Sequence, residues 1–348
     1  MLETMPFLKL RCRFLVPVVC AAVALVGCGS SHHKVASSGS APAQHLPFRF
    51  FSARSFWNQQ VSPNTAIDPD SARMVAGLSA EVHREEVRGS GPWIDVTTDG
   101  VPVEQVPDNQ PTVPVKLNHA PDAALTAAWR SVPLPNTAQP SGGDHDLAVY
   151  QPGTNRMWEF FQLHHVGGTW EAEWGGAMKD VSSNPGVYGP DAWPGAEPYW
   201  GVTAGSLPLV GGAMTVSQLQ AGDIDHALAL AIPDTRAGVY ASPAERSDGV
   251  IGSPDAIPEG ARLRLDPDLN IASLHLPPLV RLMAEAAQRY GIVVRDTAGI
   301  VSFIAEDPVD RNFTVYRRLA QGLYPNKLLA MFPWSRLQVV KMDLHSVQ

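Results

Sequence analysis

Alternating apolar and polar positions between residues 144 and 174 predict three short antiparallel strands. Residues 146–151 and 156–165 are rich in apolar and aromatic side chains, and Pro152-Gly153 separates them. Gly167-Gly168 is a typical two-residue turn, and residues 169–174 return from it. Because side chains alternate across a strand, a tight turn here pairs residues in a fixed order. The predicted pairs are Val166 with Thr169, His165 with Trp170, His164 with Glu171, Leu163 with Ala172, Gln162 with Glu173, and Phe161 with Trp174.

The two faces of this predicted hairpin differ in their chemistry. One face is mostly apolar and is predicted to be core. The other combines two carboxylates, a histidine, an amide and two aromatic rings: Trp158, Phe160, Gln162, His164, Glu171 and Glu173. Aromatic rings can stack on sugars, and two carboxylates can perform acid–base chemistry on a glycosidic bond. The alternative interpretation is an ordinary solvated sheet face, on which Glu and Gln need no function.

A second alternating stretch covers residues 222–233. Large apolar residues and His226 share one face, whereas Asp223, Asp225 and three alanines share the other. Two interpretations of His226 stay open: a buried, hydrogen-bonded core residue, or a residue at the rim of a site with a pKa tuned by a carboxylate such as Asp225. The alanine face leaves room for a ligand or a packed ring. A metal site formed by His226, Asp223, Asp225 and His164 or His165 is an alternative, but no recognisable metal-ligand spacing supports it, so no metal is predicted.

Helical spacing predicts two main helices, at about residues 71–82 and at residues 277–290. Asp99-Gly100 predicts a hairpin between strands at 93–98 and 101–106. Residues 175–201 are predicted to be a long irregular loop, either a wall over a binding face or a structural loop held by its own rings. Asp296, at the end of a predicted strand, is either a turn residue or a site residue.

Composition favours many turns and short strands, because the chain holds 31 Pro and 29 Gly and only 17% of its residues are charged. The predicted fold is mainly β. It is a single antiparallel β-sandwich or jelly-roll-like domain over residues 46–348, with a few peripheral helices.

The first residues predict export. Lys9, Arg11 and Arg13 precede an apolar run at residues 14–26 that is too short for an ordinary membrane span. The sequence Leu25-Val26-Gly27-Cys28 resembles the lipobox of bacterial lipoproteins. The resemblance implies cleavage of residues 1–27, lipidation of Cys28 and anchoring at the extracytoplasmic face of a cell membrane. An ordinary secretory peptide with a chance cysteine is the alternative. Residues 28–45, rich in Ser, Ala, Gly and His, predict a flexible tether.

Charge and cysteine content restrict the partners. The net charge is −8, and removal of residues 1–27, with three cations and one carboxylate, makes it −10. Since no Lys/Arg-rich run occurs, no nucleic-acid partner is predicted. Membrane contact is predicted through the N-terminal lipid only. Cys12 and Cys20 lie within the signal, so no disulfide is predicted.

The domain resembles secreted carbohydrate-active β-sandwich proteins in general style, and no quoted motif places it in one family. The predicted partner is a polysaccharide or cell-wall glycan, cleaved by a hydrolase or a lyase, without a cofactor. A lyase would use a base such as Tyr150 and a cation such as Arg156 or Lys179. The alternative is a lipoprotein that binds carbohydrate without turnover. The predicted catalytic residues are Glu171, Glu173, His164, His226 and Asp225, and the predicted substrate-binding residues are Trp158, Gln162, Trp174, Asp144, Asp146 and Trp200.

Overall fold

The computed structural model describes residues 49–119 and 121–347, which form one compact unit. The predicted signal peptide, the predicted lipidation site Cys28 and the predicted tether lie outside the described residues. Within the described ranges, no helix is long and apolar enough to cross a membrane.

The described part of the chain is mostly sheet, with several sheets and a few helices, which confirms the predicted mainly β class. The helices are α1 (Ser71–Arg88), α2 (Ala123–Ala128), α3 (Val216–Ala221), α4 (Pro278–Arg289), α5 (Thr314–Ala320) and α6 (Pro325–Leu329). The strands are β1 (Trp93–Asp95), β2 (Val101–Gln105), β3 (Val115–Leu117), β4 (Leu147–Gln151), β5 (Arg156–Phe161), β6 (His164–Val166), β7 (Thr169–Ala172), β8 (Trp174–Met178), β9 (Leu228–Ile232), β10 (Val239–Ala241), β11 (Arg262–Leu265), β12 (Ile292–Thr297), β13 (Ser302–Ile304), β14 (Glu306–Asp307), β15 (Leu337–Val339) and β16 (Leu344–Ser346).

Two sheets dominate the fold. One has six strands in the order β1-β13-β9-β12-β11-β15, and the other has five in the order β14-β2-β4-β5-β8. Both are mixed rather than purely antiparallel, since β9 pairs with β12, and β2 with β4, in parallel. The prediction of purely antiparallel sheets is wrong for these two pairs. Parallel strands require a long crossover connection, and the connection between β9 and β12 contains α4.

Two hydrophobic cores lie on opposite faces of the six-stranded sheet. One core joins Ala229 and Val293 of this sheet to residues of the five-stranded sheet such as Met157. The other joins Leu230 and Phe303 to the inner faces of α1 and α4. The alternation predicted at residues 228–232 produces this division, because large side chains point to the helices and alanines point to the other sheet.

The alanine face of β9 packs against the Trp57 ring and against the backbone at Gly212. Trp57 is buried and donates its indole N–H to the carbonyl of Gly186. A Cβ added at Gly212 would lie 2.6 Å from the backbone nitrogen of Ala229 and 2.7 Å from the Trp57 ring. Only a residue without a side chain fits between them, so the small face serves packing.

The central hairpin has the predicted register. His164 pairs with Glu171, His165 with Trp170, and Val166 with Thr169, while Phe161 pairs with Trp174 farther along. Gly167 and Gly168 have φ values of 58° and 83°, as a tight primed turn requires. The start of the predicted loop at residues 175–201 is instead strand, because β8 pairs with β5.

The hairpin predicted at Asp99-Gly100 is wrong. β1 pairs with β13 in the six-stranded sheet, whereas β2 pairs with β4 in the five-stranded sheet. The turn therefore carries the chain from one sheet to the other. Asp99 lies at this crossing, next to the loop that precedes β4.

Candidate functional site

Six aspartates from four separate segments gather where the two sheets meet, and the buried Arg295 interacts with three of them. Asp95 ends β1, Asp296 lies near the end of β12, and Asp146 immediately precedes β4. These three half-buried residues are the inner aspartates, and three exposed residues are the outer aspartates: Asp99, Asp144 and Asp248. Together with Arg295 they form the acidic cluster. Their charges influence one another across the sheets.

A bulge in β12 positions the arginine. The register between β12 and β9 shifts between Val294 and Asp296, so Arg295 is the extra residue. Its side chain is 3% exposed. It donates from Nη1 to the carbonyl oxygens of Leu209 and Gly211, and its Nε has no hydrogen-bond partner among the described residues. The bulge therefore places a buried cation beside the inner aspartates.

Two loops hold the outer part of the cluster. Gly143 donates its N–H to the carbonyl of Thr98 at 2.6 Å. A Cβ added at Gly143 would lie 1.9 Å from an Asp99 carboxyl oxygen, so a side chain there would displace the Asp99 carboxyl. The backbone N–H of Asp146 donates to the Ser141 hydroxyl at 2.9 Å, which closes the second loop.

Burial raises the pKa of all three inner aspartates above the ordinary value for aspartate. It raises the pKa of Asp95 to about 6 and the pKa of Asp296 to about 6. Burial, reinforced by the charges of Asp144 and Asp296, raises the pKa of Asp146 well above its ordinary value. Arg295 opposes these shifts, because its charge favours the ionised forms. The cluster thus combines inner carboxyls that have raised pKa values with outer carboxyls that are exposed to solvent.

The backbone beside the cluster is strained. His145 and Gln162 have φ values of 54° and 56°, a region that non-glycine residues rarely adopt. The N–H of Gln162 donates to the carbonyl of Asp144, and the ring of His145 lies 4.6 Å from that of His164. His164 Nε2 is 3.4 Å from the Gln162 side-chain oxygen. Such strain recurs at functional sites, so it supports a function for this loop.

An aromatic pair lies at the same end of the five-stranded sheet. Trp174 stacks on Tyr199 with ring centroids 6.2 Å apart and an interplanar angle of 25°. Tyr199 is 45% exposed. The segment after Tyr199 reaches the cluster, because the N–H of Ala204 donates to Asp296 Oδ1 at 3.1 Å. An exposed ring therefore lies on a segment tied to an inner aspartate.

Several predicted site residues lie elsewhere. Glu171 forms an ion pair with Lys116 at 3.4 Å on the small three-stranded sheet. Glu173 is half-buried between β7 and β8, where its backbone N–H donates to Phe161. Trp158 and Trp200 are 3% and 0% exposed. Both rings therefore belong to the hydrophobic core and do not form the predicted aromatic surface. Trp158 is covered by α2 and the turn that follows it, and its indole N–H donates to the carbonyl of Ala128.

His226 and Asp225 also lie outside the acidic cluster. His226 is buried, with Nδ1 2.8 Å from the Ala227 carbonyl oxygen and Nε2 3.1 Å from the Gln218 side-chain oxygen. Burial lowers the pKa of His226. Asp225 accepts from Arg49 at 2.9 Å. The structure thus gives His226 the buried, hydrogen-bonded environment that was one of its two predicted interpretations.

Of the predicted substrate-binding residues, the cluster contains Asp144 and Asp146, with Gln162 and Trp174 beside it. Sequence reasoning missed Asp95, Asp99, Asp248 and Arg295. For two of them the sequence held a signal: Asp95 lies in a predicted strand, where it ends β1, and Asp99 lies in a predicted turn. Asp296 has a similar position near the end of β12. In the described ranges, no group of three or more His, Cys, Asp or Glu residues is arranged to hold a metal ion.

Comparison with protein-family models, with curated proteins and with solved structures finds no match to this chain. Function is therefore inferred from the geometry and electrostatics of the acidic cluster.

Proposed function

We propose that the acidic cluster is the catalytic site of an enzyme that hydrolyses a polysaccharide or cell-wall glycan. The observation that carries this proposal is the pairing of Asp146, a half-buried carboxyl with a strongly raised pKa, with the exposed Asp144 two residues away. Hydrolysis of a glycosidic bond requires one carboxyl that holds a proton and one that does not.

The two carboxyls have different roles in this mechanism. Asp146 is the general acid and donates its proton to the glycosidic oxygen as the bond breaks. Burial also raises the pKa of Asp144, against the charge of His145, but the pKa of Asp146 is raised further. Asp144 is therefore the carboxyl that ionises first, and it acts on the opposite side of the sugar as a nucleophile or as the base that activates water. Burial is the main cause of the raised pKa of Asp146; the charges of Asp144 and Asp296 raise it further, and the charge of Arg295 lowers it.

The charge of the cluster indicates the kind of glycan. The six carboxyls outnumber the two arginines that interact with them, Arg295 and Arg246, and both arginines donate to backbone carbonyls. Polymers of uronic acids would be repelled, whereas neutral or amino-bearing sugars would be accepted. The lyase residues considered from sequence are less suitable, since Tyr150 is buried and Arg156 lies over the Trp193 ring. Hydrolysis is therefore favoured over elimination.

The setting of this site is part of the proposal. The shared core of the two main sheets supports an open, sandwich-like scaffold. The lipobox-like end at Cys28 supports a protein held by lipid at the extracytoplasmic face of a cell membrane. A second candidate function is carbohydrate binding without turnover, and the exposed Tyr199 stacked on Trp174 favours it.

The test is digestion of a glycan panel by residues 46–348, which include both hydrophobic cores. The panel contains neutral glucans, chitosan and alginate, and new reducing ends are measured. We expect cleavage of a neutral or amino-bearing glycan. Asp146→Asn should lower turnover by about 10²–10⁴-fold, the usual contribution of a general acid. Glu171→Gln is the matched control and should keep its activity, because Glu171 is paired with Lys116 away from the cluster.

Three results would redirect the proposal. Loss of turnover in Glu171→Gln or Glu173→Gln, with Asp146→Asn active, would move the site to the hairpin. Cleavage of alginate with new absorbance from unsaturated uronates would indicate a lyase. A glycan that raises the melting temperature without being cut would favour the binding protein.

A further inference from the structure

The C-terminal part of the chain carries a charge opposite to that of the whole. Residues 311–341 hold six basic residues and no carboxylate, in a chain with net charge −8. Three of the six are paired with carboxylates from other segments or the preceding turn: Arg311 with Asp307, Lys327 with Glu86, and Arg336 with Asp266. Arg317 and Arg318 on α5 are exposed, and neither forms an ion pair with a described residue. Lys341, after β15, is the third of these six cations without an ion pair in the described part of the chain. The two adjacent arginines of α5 therefore form a pair of cations that is available to an external partner.

Apolar side chains are exposed next to these arginines. The turn between α5 and α6 presents Leu323 and Tyr324, which are 37% and 76% exposed. The turn is ordered by the helices, since the N–H of Leu323 donates to the carbonyl of Ala320 and the N–H of Leu328 donates to that of Tyr324. Met331, just after α6, is also exposed. A fixed turn thus holds an aliphatic and an aromatic side chain in solvent.

We propose that this turn, together with Arg317 and Arg318, docks on an anionic lipid bilayer. Leu323 and Tyr324 would enter the headgroup region, where amphipathic tyrosine rings are favoured. The guanidinium groups would bind lipid phosphates, with about 1 kcal/mol of attraction per cation near such a surface. We call residues 317–324 the docking surface.

The exposed apolar residues favour a bilayer over a soluble polyanion. A dissolved polyanion would use the arginines and gain nothing from Leu323 and Tyr324, whereas interfacial binding depends on buried apolar area as well as charge. The chain as a whole has a net charge of −8, so attraction to an anionic membrane depends on local cations such as Arg317 and Arg318. This contact is additional to the lipid predicted at Cys28 and independent of the proposed hydrolase. Such a contact would fix which side of the tethered domain faces the membrane.

The test is co-sedimentation of residues 46–348 with vesicles. One set contains phosphatidylglycerol and phosphatidylcholine in equal parts, and the other contains phosphatidylcholine alone. We expect binding to the anionic set, weakened by salt, and little binding to the neutral set. Arg317→Glu with Arg318→Glu should weaken binding at least about tenfold, and Leu323→Ser with Tyr324→Ser should weaken it about tenfold.

The matched control is Arg54→Glu with Arg130→Glu, which makes the same charge change at two exposed arginines on other segments. It should bind within about twofold of the unchanged protein. Equal sedimentation with both vesicle types, or with neither, would overturn the proposal, as would an equal loss in the control. If the serine variant keeps full binding and dextran sulfate displaces the protein, the partner is a soluble polyanion and the bilayer proposal fails. Circular dichroism verifies that each variant is folded.

Discussion

The hairpin glutamates and the inner aspartates contain the same functional group in opposite environments. Glu171 lies near the surface, and its partner Lys116 is well exposed. The inner aspartates are half-buried and share the fully buried Arg295. Water screens the first pair, whereas a low-dielectric interior strengthens every charge interaction in the second group. Proton-transfer chemistry therefore depends on burial and neighbours more than on the presence of two carboxylates on one strand face.

The two regions also differ in how the chain builds them. The hairpin is local, since its strands and turn are consecutive in sequence. The acidic cluster joins the end of β1, the loop before β4, residue 248 and the bulge in β12. Its members come together only when two sheets pack on each other. The cluster should consequently be sensitive to changes that leave the hairpin intact.

The largest expected difference between the hairpin and the acidic cluster is in the free energy of unfolding that is lost when the cation of each region is removed. Arg295→Met leaves several buried or half-buried carboxyls without compensation and should lower the free energy of unfolding by about 3–5 kcal/mol at pH 7.5. Lys116→Met removes the partner of Glu171 and should cost less than about 1 kcal/mol. Chemical denaturation of both variants measures the contrast. Equal midpoints for Arg295→Met and the unchanged protein would show that Arg295 does not stabilise the cluster.

The second difference concerns pH. The folded pKa of Asp296 is about 6, above its ordinary value of 3.8, so folding favours its protonated form. Its contribution to stability is complete below the unfolded pKa and is lost as pH rises from about 4 through 6. Asp296→Asn cannot ionise and keeps an oxygen that accepts from Ala204. Relative to the unchanged protein, it should gain about 1–3 kcal/mol between pH 4 and pH 7.

Urea denaturation across that pH range measures this gain. Glu171→Gln, in the solvent-screened ion pair, is the control and should change by less than about 1 kcal/mol over the same range. A constant difference between Asp296→Asn and the unchanged protein would argue against a raised pKa at Asp296.

The smallest expected difference concerns two glycines. A side chain at Gly143 would meet the Asp99 carboxyl, whereas a Cβ at Gly168 would meet nothing within 4 Å. Gly143→Ala should displace Asp99 and cost about 1–3 kcal/mol. Gly168→Ala should cost about 1 kcal/mol, because its φ of 83° disfavours a side chain. The proposed glycosidase activity should fall only in Gly143→Ala; loss of activity in both would connect the hairpin turn to the site.

Sequence periodicity predicted the local elements well. The hairpin register, the alternation at residues 228–232 and the helix at residues 278–289 agree with the structure. These features depend on spacing along a single segment, which the sequence contains in full. The turn at Asp99-Gly100 had an equally strong local signal, yet its two strands joined different sheets, because strand pairing depends on distant partners.

The sequence by itself determined that the chain is mainly β, where its main helices lie, and that Asp144 and Asp146 lie at the start of a strand. Only the tertiary structure decided which carboxyls come together in the acidic cluster and have raised pKa values, because burial and charge coupling arise where separate segments meet. Asp95 and Arg295 are 200 positions apart and carry no shared pattern. Trp158 shows the same dependence on tertiary structure. Alternation along the strand placed its ring on the exposed face, whereas the ring is buried under α2 and the turn that follows it. Local spacing thus specified the elements, and the packing of one sheet on the other created the site.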